Sequence, residues 1–105
     1  MRRDGLGRLD ELRNDGAMRI EGKTFLGTYV RQVIVSEHHD DQLGFSKQLE
    51  NCLLDICKTL DVSVPLWMQK NTQEFAHWHQ TFFTQDQFVE KVPFDRLQIK
   101  WLDYE

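Results

Sequence analysis

Residues 45–60 read FSKQLENCLLDICKTL, and this stretch decides the fold. Phe45, Leu49, Cys52, Leu53, Ile56, Cys57 and Leu60 recur at the i, i+4, i+7, i+8 spacing of an amphipathic helix. Lys47, Gln48, Glu50, Asn51, Asp55 and Lys58 fall on the opposite side, and only Leu54 departs from the stripe. One apolar face is therefore expected to form the floor of a core while the other meets water. No other segment of the chain has so regular a period.

The two cysteines lie on or beside this stripe. Five residues apart on a helix, they are separated by about 8 Å along the axis, too far for a disulfide between them. Cys52 and Cys57 are expected to act as small core hydrophobes.

Upstream, Met18 to Glu37 is rich in β-branched and aromatic residues: Thr24, Phe25, Thr28, Tyr29, Val30, Val33, Ile34 and Val35. Gly22-Lys23 reads as a two-residue turn between Arg19–Glu21 and Thr24–Leu26, with the main strand over Tyr29 to Ser36. Neither the Val30, Gln32, Ile34 face nor the Tyr29, Arg31, Val33, Val35 face is clearly the wet one, which suits a strand covered on both sides. Residues 1–17, with three glycines and mixed charge, read as an N-terminal appendage to a single domain over 18–105. An over-extended start accounts for such an appendage, and a docked helix through Leu6, Leu9 and Leu12 is the alternative. Asp40 and Asp41 precede the organising helix, where acids favour its dipole.

Downstream, Pro65 is expected to end the long helix and Leu66, Trp67 and Met68 to cover one end of the core. Asn71-Thr72-Gln73-Glu74 resembles a capping box, with Asn71 or its neighbour as N-cap, and predicts a short helix to about Gln80 that buries Phe75 and Trp78. Thr84-Gln85-Asp86-Gln87 starts a further turn burying Phe88 and Val89. Phe94 to Tyr104 alternates, with Leu97, Ile99 and Trp101 against Arg96, Gln98 and Lys100, and is the clearest strand. The expected fold is α+β: a small antiparallel sheet of two to three strands packed on one long and one short helix.

The chain has 105 residues and a net charge of −4, with no long run of Lys or Arg, which argues against a general nucleic-acid or anionic-membrane surface. A local basic strip of Arg31, Arg96 and Lys100 is the nucleic-acid alternative. No apolar run is long enough to span a bilayer, and a cytoplasmic address is the default expectation. There is no Gly-rich phosphate loop, Cys-x-x-Cys, Gly-x-Ser-x-Gly or His-Glu-x-x-His. No catalytic residue and no cofactor is nominated.

Histidines are the candidates for chemistry. His38 and His39 are adjacent, and His77 and His79 flank Trp78. A His-x-His pair shares a face on a strand but diverges by about 200° on a helix, so a helix over Asn71 to Gln80 weakens it as a metal pair. A composite of His38 or His39 with His77 or His79 and Asp40 requires the loop to fold over the short helix. His79-Gln80-Thr81 matches the His-x-Thr element of two-histidine phosphoesterases, which need two copies where this chain has one. Arg31 and His38, with six residues between them, fit the loose Arg-x(4–6)-His spacing of an all-helical ribonuclease family, but Arg31 lies in the predicted strand.

Trp67, Phe75, Trp78, Phe82, Phe83, Phe88 and Phe94 crowd a short span. They either complete the core or leave an exposed anchor for a partner, with Phe82, Phe83 and Trp78 as interface candidates. A small sheet leaves edges to be shielded, for which a homodimer is a natural solution. The leading expectation is a non-enzymatic interaction or accessory module, and the alternative is a histidine-dependent metal-binding or phosphoester-processing enzyme.

Ser63-Val64-Pro65-Leu66-Trp67, Phe83-Thr84-Gln85-Asp86-Gln87-Phe88 and Phe94-Asp95, with Lys23-Thr24-Phe25 near the start, resemble a family of small uncharacterised bacterial proteins. The resemblance covers about Met18 to Tyr104 and carries no activity, cofactor or catalytic residue.

Overall fold

The computed structural model describes residues 17–39 and 42–102. The N-terminal appendage up to Gly16, the loop acids Asp40 and Asp41, and the last three residues lie outside the described residues. The elements are β1 (Met18–Leu26), β2 (Tyr29–His38), α1 (Phe45–Leu60), α2 (Gln69–Trp78), β3 (Gln80–Thr84), a 3-10 turn at Gln85–Gln87, and β4 (Arg96–Trp101). The strands form one four-stranded sheet in the order β2-β1-β4-β3, antiparallel throughout. This is the expected α+β architecture with one more strand than the upper expectation.

The extra strand comes from residues between the end of the predicted short helix and the predicted turn at Thr84. His79 takes a left-handed conformation (φ 63) and its N–H closes α2 on the Phe75 carbonyl at 2.8 Å. Gln80–Thr84 then pairs with β4, from Gln80 opposite Lys100 to Thr84 opposite Arg96. Alternation along this strand solves the problem of two adjacent phenylalanines, since Phe83 points into the core and Phe82 to the other face.

Gly22 is not in a turn. It lies inside β1, and the hairpin turns instead at Gly27-Thr28, where Gly27 (φ 61) holds the first central position, as a type II′ turn requires. A Cβ on Gly22 would stand 2.7 Å from Ile56 Cγ2. This glycine is a point of close approach between strand and helix, the other meaning a glycine has within a strand. A bulge opposite Thr24/Phe25 makes Arg31 the extra residue of β2, and it moves Val30 to the face opposite Gln32 and Ile34.

The core lies between α1 and one face of the sheet. Met18, Ile20, Leu97, Ile99, Trp101 and Phe83 meet Phe45, Leu49, Cys52, Leu53, Ile56 and Cys57. Leu60 is only partly buried, Leu54 is exposed as its position off the stripe implies, and Gln48, expected in water, is buried. Aromatic rings continue the core toward α2, with Trp101 against Phe45 (4.7 Å), Phe45 against Phe75 (6.1 Å), and Trp67 against both Phe75 (6.4 Å) and Phe83 (5.6 Å). Trp67 is partly buried, whereas Leu66 and Met68 are exposed. Two further residues expected inside are outside: Trp78 is 63% and Val89 89% exposed.

Helix ends also differ from expectation. α1 stops at Asp61, four residues before Pro65, because Asp61 adopts φ 61 and its N–H reaches the Lys58 carbonyl while Val62 reaches Cys57. Asp is among the few non-glycine residues that accept this conformation readily. α2 begins earlier than the capping-box reading, with Met68 as N-cap and Asn71 at N3, its side-chain oxygen accepting the Met68 N–H at 2.9 Å.

Candidate functional site

The four histidines are found in three places. His38 ends β2 and its Nε2 lies 2.5 Å from Asp55 Oδ2 on α1, the oxygen that also accepts the Ser36 hydroxyl at 3.0 Å. The His38 hydrogen bond, against a smaller opposing effect of burial, holds the Asp55 carboxyl below its ordinary value, helped by Ser36 and by the charges of His38 and Lys58. Serine and imidazole both bind the carboxylate, so no base is placed on the buried hydroxyl and a Ser-His-Asp relay is not assembled. The trio instead clips the end of β2 to α1. His39 follows on the surface.

His77 sits edge-on to Trp78 at 4.5 Å, and His79 rests against Trp101 at 5.5 Å. Burial, with the charge of His77, pushes the His79 imidazole below its ordinary value. Among the described residues no three His, Cys, Asp or Glu side chains are grouped to hold a metal ion. Asp40, the remaining member of the expected composite site, is outside the described residues. In the His79-Gln80-Thr81 element the threonine is buried and occupied, its hydroxyl donating to Glu74 at 2.6 Å and accepting from Asn71 at 2.8 Å. It does not face an open phosphate position. Cys57 is likewise unsuited to chemistry, because burial pushes its thiol up to about 12.

The motif segments meet one another, and Asn71 joins them. Its amide donates to Thr81 Oγ1 (2.8 Å) and to the Phe82 carbonyl (3.0 Å), while its oxygen accepts from Met68 N–H and from Gln87 Nε2 (3.0 Å). Gln87 Nε2 also reaches the Leu66 carbonyl at 2.9 Å, and Leu66 N–H returns a bond to the Gln87 carbonyl at 2.7 Å. Gln87 Oε1 accepts the Thr84 N–H at 3.1 Å, and Trp67 Nε1 donates to Thr72 at 2.7 Å. Leu66 and Trp67 of the first motif and Thr84 and Gln87 of the second are therefore bound into a partly buried polar network that fixes the path of the chain from α1 into β3.

The sheet's second face has no element covering it among the described residues. It carries Glu21, Lys23 and Phe25 from β1, Val33, Val35 and Glu37 from β2, Arg96, Gln98 and Lys100 from β4, and Phe82 from β3. Arg96 lies over the Phe25 ring at 4.3 Å and near Phe82 at 5.6 Å, and its Nη1 donates to the Gly27 carbonyl at 3.3 Å. Glu21 takes an ion pair from Lys23 at 3.6 Å and stands opposite Lys100. The expected Arg31, Arg96, Lys100 strip is thus interrupted, since β1 separates Arg31 from β4 and both β4 cations have partners or an acid beside them.

What remains apolar and open is at the β2 side, where Val33 and Val35 are 53% and 52% exposed. Of the three aromatic interface candidates, Phe83 is fully buried, Phe82 is half-buried beneath Arg96, and Trp78 is exposed on α2 away from the valines. The sequence signal for the valine edge was visible in a strand with two partly apolar faces, but the pattern alone did not tell which neighbour would be absent.

No helix among the described residues is long and apolar enough to cross a membrane. No family model, no curated protein and no solved structure matches the chain.

Proposed function

We propose that this chain is a non-enzymatic protein-interaction module that works as a homodimer, with the β2 side of its sheet as the contact. One observation carries the reading: β2 is a ten-residue edge strand whose regular stretch Gln32-Val33-Ile34-Val35-Ser36 contains no charge and no proline. Edge strands exposing unpaired N–H and C=O groups act as templates for another strand, and proteins usually blunt them by shortness, charge, proline or a bulge. The opposite edge, β3, follows that practice with five residues. β2 has a bulge near its hairpin end and a glutamate near the other, which bound the stretch rather than interrupt it.

The chemistry of the described residues supports the same reading. Ser36, His38 and Asp55 are used to tie β2 down, and Asn71, Thr81 and Gln87 to hold the motif segments. The test is the solution mass by light scattering across a dilution series, with elemental analysis. A metal-free species of twice 12.5 kDa is expected. A monomer at every concentration, or one carrying stoichiometric zinc or iron, overturns the proposal and returns attention to the histidines.

A further inference from the structure

Resting on the homodimer reading, we infer that the second copy adds to β2 antiparallel and in one register, with the two-fold axis at Ile34. An antiparallel strand pair with a two-fold axis places residue 34−n opposite residue 34+n of its mate. Val33 then faces the partner's Val35, Gln32 the partner's Ser36, and Arg31 the partner's Glu37. Each contact occurs twice.

The register is selected by the side chains. Gln32, Ile34, Ser36 and His38 share the α1 side of β2, and Val33, Val35 and Glu37 the open side, as their β1 partners show. With the axis at Ile34 the exposed valines cover one another and opposite charges close both ends. Moving the axis to Val35 sets Val33 against the partner's Glu37, and moving it to Val33 leaves Arg31 against the partner's Val35. Each alternative removes the charge match and sets a charge against a valine.

Arg31 and Glu37 are available for this use. Both are exposed, and neither forms an ion pair among the described residues. Arg31 is the extra residue of the bulge, so β1 places nothing opposite it, while Glu37 has Arg19 opposite on β1. In the dimer Glu37 lies between Arg19 of its own chain and the partner's Arg31. Joining the edges makes one eight-stranded antiparallel sheet from two of four, within the ordinary size of an open sheet.

Cysteine trapping and charge reversal test the register on the full chain. An equal mixture of Val33→Cys and Val35→Cys proteins is air-oxidised and run without reductant. The mixture is expected to give a covalent dimer and each protein alone is not, because like positions lie diagonally, beyond disulfide reach. Arg31→Glu or Glu37→Arg alone is expected to weaken dimerisation about tenfold or more, and the double reversal to restore it. A stable dimer in which either cysteine protein crosslinks by itself, or in which the double reversal stays weak, overturns the register and leaves the homodimer standing. A monomer throughout overturns both.

Discussion

Replacing Gly22 by alanine probes a close approach between α1 and the sheet. The added Cβ would lie 2.7 Å from Ile56 Cγ2 and 3.2 Å from Ile56 Cδ1. Carbon atoms pack comfortably at about 3.5–4.0 Å, so the overlap with Cγ2 is close to 1 Å. Cγ2 branches directly from the Ile56 β-carbon, and a helical isoleucine is held largely to one χ1 rotamer, so relief requires α1 itself to shift. Overpacking of this kind costs about 1–3 kcal/mol, while removing a strand glycine returns about 0.5–1 kcal/mol. Gly22→Ala is therefore expected to lose about 1–2 kcal/mol, or about 5–15 °C in melting temperature for a domain of this size. Urea denaturation followed by circular dichroism measures it. The second half of the cycle identifies the cause: Ile56→Ala alone costs about 2–5 kcal/mol, and with the clash gone, Gly22→Ala in that background should cost nothing further. A parent-like Gly22→Ala protein, or additive losses in the double variant, would refute the close-approach account.

Two further perturbations address the polar clusters. Asn71→Ala leaves Met68 N–H, the Phe82 carbonyl, Thr81 and Gln87 each short of a partner, and is expected to cost about 2–4 kcal/mol by chemical denaturation. Gln73→Ala, two residues away and exposed, should change stability by less than about 0.5 kcal/mol, and equal losses in the two would contradict the network. Asp55→Asn tests the clip between β2 and α1. The folded Asp55 carboxyl holds its proton less tightly than the unfolded one, so its contribution is full above the ordinary value of 3.8 and is lost as pH falls through the lowered value. With that side chain half exposed, the contribution stays below about 1 kcal/mol. Parent and variant should differ at about pH 5 and converge as the pH falls below the ordinary value of 3.8 and through the lowered one, and a gap independent of pH removes the assignment.

Periodicity alone determined α1 and β4, because each has a face whose burial outweighs any local preference of its residues, whereas β2, mostly exposed, was legible from its β-branched and aromatic residues. The stripe from Phe45 to Cys57 and the alternation of Leu97, Ile99 and Trp101 could face only a core, and they do. Local signals were ambiguous wherever one residue type serves two purposes. Gly22 had the look of a turn, and only the placement of Ile56 above it shows that the missing side chain makes room for a helix. His79 and Gln80 continued a helical pattern until a left-handed residue and the free edge of β4 turned the chain into a strand. The motifs holding Leu66 and Gln87 were legible as letters and Asn71 as a helix cap, but hydrogen bonds linking residues up to 21 positions apart exist only once the chain has folded. The histidines were separated by the same folding, one clipped to Asp55 and two lodged against tryptophans. Sequence thus decided which faces are apolar, while tertiary structure decided which of them is covered: α1 buries one side of the sheet, and no described element covers the valines of β2 on the other.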